Sequence, residues 1–183
     1  MRELYVKTEA TTEPISIPDA KTYLNYLGGD AGGESTIEYL ITSARLRLEN
    51  YTGRNFVEKT MILNIDEVHP RLELPFGPIN EVVSIKIYDD DGVLDETLVA
   101  DDDYYILGDF DKNIRFETFS GGGYMSIEYT AGYGDDTFDL PKAIRMALLR
   151  QVKYDFDNRG NPTADTITSE VRNMIDAYKC SYL

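Results

Sequence analysis

Apolar residues recur along this chain with two different periods, and the period changes twice. Within residues 35–53, Ile37, Leu40, Ile41, Ala44, Leu48 and Tyr51 follow one another at helical spacings. That spacing lines up one buried stripe on an α-helix. Arg45, Arg47 and Glu49 fall on the opposite face, where solvent is expected. Ser35-Thr36-Ile37-Glu38 has the spacing of a capping box and predicts the helix start. Gly53 stands where a glycine closes a helix. A shorter helix is predicted over residues 16–27, opened by Ser16-Ile17-Pro18-Asp19 and stopped by Gly28-Gly29. The glycine-rich residues 28–33 read as a flexible joint. Residues 1–14, ending at Pro14, read as an extended arm.

From residue 56 the period falls to two. Alternation predicts strands over 56–66, 72–75, 82–88, 93–99, 104–107, 114–119 and 124–129. Pro75 cuts off the second of these. In the third, Val83, Ile85 and Ile87 are expected on one face. Asp89-Asp90-Asp91-Gly92 is a turn signal that folds the next segment back as a hairpin. Gly121-Gly122-Gly123 joins the last two strands. The helical period then resumes with Ile144, Leu148 and Val152, flanked by Ala147 and Leu149. Asp139 is the expected N-cap of that helix, with Pro141 in its first turn. Asn158-Arg159-Gly160-Asn161-Pro162 ends it. A last helix over about 167–178 carries Val171, Met174, Ile175 and Tyr178 on one side. With few contacts in sequence to anchor it, this helix is expected to be mobile or to dock on a partner.

The pattern therefore predicts an α+β chain. It is a bundle of about four helices with a β-rich insertion of about six antiparallel strands between helices two and three. A single domain over 1–183 accommodates it, divided into an arm (1–14), a helical part (15–55), the β-rich insertion (56–134) and C-terminal helices (139–183).

Composition narrows the function. No apolar run approaches the ~20 residues of a membrane helix, and Met1-Arg2-Glu3-Leu4-Tyr5 lacks a signal-peptide core. Cys180 is the sole cysteine, so no disulfide forms within the chain. Both features fit the cytoplasm. A net charge of −15 opposes grip on nucleic-acid phosphates. It suits solubility and a surface that repels DNA. The 14 tyrosines and absence of tryptophan suit half-wet surfaces, subunit interfaces among them, and β-strands equally.

The usual catalytic constellations are missing. His69 is the only histidine and stands beside Pro70, which favours a structural or solvated role over a general base. Cys180 has no second histidine near it in sequence and reads as an inert thiol. There is no G-x-S-x-G, P-loop or dinucleotide fingerprint. Asp109-Phe110-Asp111-Lys112-Asn113 begins like a calcium loop, but Ile114 stands where glycine is required and Ser120 where the bidentate Glu belongs. Asp89, Asp90 and Asp91, like Asp101, Asp102 and Asp103, are runs that usually form solvated loop tips.

Several segments, in order over residues 14–157, resemble the head–tail connector (adaptor) proteins of tailed bacteriophages. They are Pro14-Ile15-Ser16-Ile17-Pro18-Asp19-Ala20-Lys21, then Leu48-Glu49-Asn50-Tyr51-Thr52-Gly53-Arg54-Asn55-Phe56, then Leu72-Glu73-Leu74-Pro75-Phe76-Gly77-Pro78-Ile79 running into Val82-Val83-Ser84-Ile85-Lys86-Ile87-Tyr88-Asp89. Ile127-Glu128-Tyr129-Thr130-Ala131-Gly132-Tyr133-Gly134 and Leu140-Pro141-Lys142-Ala143-Ile144 follow. The Glu-x-x-Thr-Gly-Arg element of Glu49, Thr52, Gly53 and Arg54 is the most family-like stretch. Arg54 has two readings, a local helix-end contact or a subunit interface.

The resemblance implies a virion assembly protein without catalysis, cofactor or metal. Copies would form a homo-oligomeric ring of roughly a dozen subunits through head-to-tail contacts. The ring would lie below the portal protein, pass DNA without sequence-specific binding, and receive a tail or head-completion protein. Its place would be the virion neck at the head–tail junction, after assembly in the host cytoplasm, with no membrane involved. Asp89, Asp90, Asp91, Asp101, Asp102 and Asp103 would line the lumen or meet the tail. Another neck or tail-completion structural protein is the alternative. An acid-pair hydrolase is the enzymatic one, and it rests on acid abundance alone.

Overall fold

The computed structural model describes residues 2–28, 31–66, 69–117, 123–134, 139–161 and 166–180. Over these the chain is α+β, with four α-helices and two antiparallel sheets of five and three strands. It divides into two compact units: a helical one from residues 11–57 and 133–180, and a sheet unit from 2–10 and 58–132.

The helical unit contains α1 (Ile17–Leu24), α2 (Ala31–Thr52), α3 (Lys142–Asp157) and α4 (Ser169–Ile175), with a 3-10 turn at Asp176–Tyr178. The Ser16 hydroxyl caps α1 by accepting the Asp19 N–H at 3.2 Å, as its spacing predicts. The helix stops before the glycines, because Asn25 adopts a left-handed backbone (φ 53°). Asn is among the few side chains that tolerate that region. Helix α2 begins at Ala31, upstream of its expected start. Residues 31–33 of the anticipated joint are therefore helical, and Ser35 to Glu38 lie inside the helix rather than capping it; Gly29 is outside the described residues. Glu34 sits in the first turn, where the helix dipole favours an acid, and pairs with Lys21 of α1 at 2.6 Å.

The stripe of α2 packs as its spacing predicts. Ile37, Ile41, Ala44 and Leu48 are buried against Ala20, Leu24, Ile144, Leu148, Val152, Val171 and Ile175. Each such large side chain contributes about 1.5–3 kcal/mol through burial. Pro141, not Asp139, occupies the N-cap of α3, and no side chain caps that end. Helix α4 is not loose: Thr168 caps it, and Val171 and Ile175 are fully buried in the same core. Its anchor is tertiary and thus invisible to a reading of local spacing.

The sheet unit holds β1 (Arg2–Thr8), β2 (Lys59–Ile65), β3 (Arg71–Glu73), β4 (Ile79–Tyr88), β5 (Leu94–Thr97), β6 (Tyr104–Leu107), β7 (Asn113–Phe116) and β8 (Tyr124–Ala131). The described strands number eight, against about six expected. Beyond the seven segments that alternation marks out, the further strand comes from the N-terminal segment read as an arm, whose residues pair with β2 (Leu4 opposite Leu63). The five-stranded sheet runs β1-β2-β8-β4-β5 and the three-stranded one β3-β7-β6. Residues 118–122, which include the end of the strand expected over 114–119 and also Gly121 and Gly122, fall outside the described residues.

Central β8 alternates strictly, with Met125, Ile127, Tyr129 and Ala131 buried. These join Leu63, Ile85, Leu74, Ile114 and Phe116 in one apolar cluster shared by both sheets. Val83 does not share a face with Ile85 and Ile87. The pairing of β4 with β8 shifts register between Val82 and Ser84, so Val82 turns inward and Val83 is 49% exposed. The Leu74-Pro75-Phe76-Gly77-Pro78 segment is tied to β8 at two points. The Tyr129 hydroxyl donates to the Pro75 carbonyl at 3.0 Å, and the Gly132 N–H donates to the Pro78 carbonyl at 2.8 Å.

Candidate assembly surfaces

Glu49, Thr52, Gly53 and Arg54 close α2 and are joined into one buried node of the helical unit. Gly53 turns the chain at φ 68°, and the N–H groups of Gly53 and Arg54 return to the Glu49 carbonyl at 2.8 and 3.3 Å. One Glu49 carboxylate oxygen accepts the Phe56 N–H at 2.8 Å, and the other accepts from Arg45 at 3.1 Å. The Arg45 guanidinium forks onto Glu13 at 2.7 and 3.0 Å. Arg45 and Glu49, expected in solvent, are only 5% and 2% exposed. Glu13 pairs with Arg45 from a distant point in sequence, which spacing along one helix does not reveal.

The same node holds the C-terminal segment. The Cys180 N–H donates to the Thr52 carbonyl at 2.8 Å, and Arg54 Nε donates to the Tyr178 carbonyl at 2.6 Å. Tyr51 donates its hydroxyl to Asp176 at 2.7 Å, while Lys179 Nζ lies 4.5 Å from the Tyr51 ring centre. The hydrogen bond to the Asp176 carboxylate is the main reason the Tyr51 phenol is held above its ordinary pKa. The local reading of Arg54 thus has a concrete form, in which it fastens chain rather than only capping a helix.

The two acidic runs occupy turns of the sheet unit. Asp89 is consumed internally: its carboxylate accepts the N–H groups of Asp91 and Val93 at 3.0 and 2.8 Å. Asp90 and Asp91 are left exposed at the tip between β4 and β5, with Val93 and Leu94 exposed beside them. In the second run, Asp103 accepts the Val99 N–H at 2.7 Å, and Asp101 takes a left-handed backbone at φ 68°. Asp101 and Asp102 are exposed. Burial, and then the Asp101 charge, raise the pKa of the adjacent Tyr104 phenol. The first run belongs to the five-stranded sheet, whereas the second leads into the three-stranded one.

Sequence reading missed a basic row. Leu72 and Ile114 point inward, so Arg71 and Arg115 point outward, and pairing sets Arg71 opposite Arg115 and Arg115 opposite Tyr105. The Arg115 guanidinium lies 5.0 Å from the Tyr105 ring centre. Glu117 approaches Arg115 only to 3.8 Å with both side chains half exposed, which is worth little. Arg71 is exposed and has no side-chain acceptor or ion pair among the described residues. Like charges directly opposite on a sheet repel, and 43 intervening residues hide this pairing from any local signal.

His69 is exposed and Cys180 is half-buried. The calcium-like segment spends two backbone carbonyls, Phe110 on the Ile79 N–H and Lys112 on the Leu74 N–H. Among the described residues no group of three or more His, Cys, Asp or Glu side chains is placed to hold a metal ion. No helix among them is long and apolar enough to cross a membrane.

No protein-family model matches this chain, and no curated protein does. Solved structures do. The fold matches a chain described as the neck of an empty gene transfer agent (GTA) particle computed with C6 symmetry, with a TM-score of 0.83 and 17% identity, over 99% of this chain and 97% of that one. A chain of the virion of a native GTA particle matches with a TM-score of 0.81 and 17% identity, over 98% and 96%. One from the neck of a native GTA particle computed with C12 symmetry matches at 0.72 and 18%, over 99% and 97%. At such identity the likeness establishes a common fold.

Proposed function

We propose that this chain is a structural subunit of the neck of a phage-like particle, and more narrowly a head–tail connector (adaptor). The observation that carries the reading is the end-to-end likeness to neck chains, which leaves almost no part of either chain unmatched. The ordered segments from Pro14 to Ile144, with Glu49-x-x-Thr52-Gly53-Arg54 among them, point the same way. The chain acts by position rather than by chemistry. Copies form a closed homo-oligomeric ring below the portal protein, and a tail or head-completion protein docks on it. All of 1–183 works as one connector-like body.

DNA threads the ring without sequence readout, and the net charge of −15 keeps phosphates from lodging on the wall. Asp101 and Asp102 are exposed and suit the channel or a tail-facing loop, as do Asp90 and Asp91. Glu49, Thr52, Gly53 and Arg54 serve the ring by fastening Tyr178 and Cys180 to the end of α2.

Sedimentation and negative-stain imaging of the purified chain, alone and mixed with a portal protein of the same particle, test this. Rings, or a portal bearing a new collar, are expected. A chain that stays monomeric and never associates with portal would sink the reading.

A further inference from the structure

Among the charged surfaces of the sheet unit, two are complementary and belong to different sheets. The outer face of the three-stranded sheet presents Arg71 opposite Arg115, with Tyr105 under the second guanidinium. This arrangement costs the isolated chain something, since the two cations repel and Glu117 only grazes one of them. An anionic group seated between them would remove that cost. The β4–β5 tip has the matching chemistry. Asp89 is spent on the turn, which leaves the Asp90 and Asp91 carboxylates free of it and flanked by exposed Val93 and Leu94.

We propose that the outer face of the three-stranded sheet is a docking surface for a second copy of this chain, which inserts its Asp90 and Asp91 tip between Arg71 and Arg115. The inference rests on the ring reading and names a contact within the ring. Topology decides which acidic loop is used. The loop of Asp101, Asp102 and Asp103 runs directly into the three-stranded sheet, with the Asp103 carbonyl accepting the Glu117 N–H at 3.0 Å. A contact through it favours reciprocal pairing of two copies, because the acidic loop and the basic face then lie side by side on one sheet. The β4–β5 tip lies on the other sheet, so its contact joins two different surfaces head to tail and propagates into a ring. Guanidinium groups suit carboxylates through forked hydrogen bonds. Asp101 and Asp102 are then left for the channel.

The test uses the full chain in a C180S background. Copies carrying D90C are mixed with copies carrying R115C under assembly conditions, with portal protein present if it is needed, and treated with a short bismaleimide. Separately, R71E/R115E, D90K/D91K and the chain combining all four substitutions are compared by mass photometry over a salt series. Cross-linking between the two kinds of copy is expected. Each double reversal should weaken assembly by about tenfold or more, and the four-fold swap should restore it. Thermal unfolding of R71E/R115E should be no easier than that of the parent, which separates lost assembly from lost folding. Rings that form without the cross-link and ignore the reversals overturn the contact and leave the neck reading standing. Binding of labelled duplex DNA that R71E/R115E abolishes, with assembly unchanged, assigns the arginines to DNA and also overturns it. A chain that never associates in any mixture takes both readings down.

Discussion

Arginine is used in opposite ways in the two units. In the helical unit Arg45 is nearly buried, forks onto Glu13 and touches Glu49, which in turn holds the Phe56 N–H. In the sheet unit Arg71 and Arg115 are exposed, side by side and poorly matched. A buried guanidinium survives only with its partners in place, because its desolvation is so costly. An exposed one need not be paired, and a repulsive pair persists only where its small cost is outweighed elsewhere. The first arrangement has the signature of a device for holding the chain together, and the second that of a surface waiting for an anion.

Breaking the buried network should have the largest effect. Glu49→Ala strips Arg45 of one partner and orphans the Phe56 N–H, and is expected to cost about 3–5 kcal/mol. The denaturant midpoint would measure it; a change below about 1 kcal/mol would show that the network does not hold the unit. The second effect is local. Thr168→Ala removes the cap of α4 and should cost about 0.5–2 kcal/mol. Amide exchange would rise first in Ser169–Ile175, since the cap lies there. Smaller still is Arg71→Glu, which turns a repulsive cross-strand pair into an attractive one. It should stabilise the isolated chain by about 0.2–1 kcal/mol while weakening assembly, and that opposition of signs is the sharpest contrast with Glu49→Ala.

The smallest effect is a titration. Tyr104 has a raised pKa, from burial and then from Asp101. A group raised in the folded state contributes stability that is whole below its ordinary pKa and is lost as pH climbs through the folded value. Stability should therefore fall in alkali above the ordinary tyrosine range, and Tyr104→Phe should lessen that fall in pH-dependent unfolding.

Where one local rule governed, the sequence was readable. The stripe of α2 packs as spaced, Gly53 ends it, Ser16 caps α1, and β6 has the bounds that alternation predicts. Where two signals competed, it was misleading. Ser35 to Glu38 has a good box, yet α2 begins at Ala31, with Glu34 in its first turn paired to Lys21. Asp139 looked like a cap, but the backbone turns at Pro141. Of the residues singled out, Arg54 is tied to the Tyr178 carbonyl from far along the chain, and Glu49 holds Arg45 and the Phe56 N–H, contacts that spacing along one helix does not supply.

By itself, then, the sequence determined the helices, the strands after residue 56, their order and the buried stripe of α2. Period and side-chain volume are local properties and survive in one dimension. Only the tertiary structure decided that β8 lies between β2 and β4, that Arg45 is sheathed by Glu13, and that Arg71 faces Arg115. Those are long-range pairings, chosen by which apolar faces can be buried together, and charges are carried to their neighbours as a consequence of that burial.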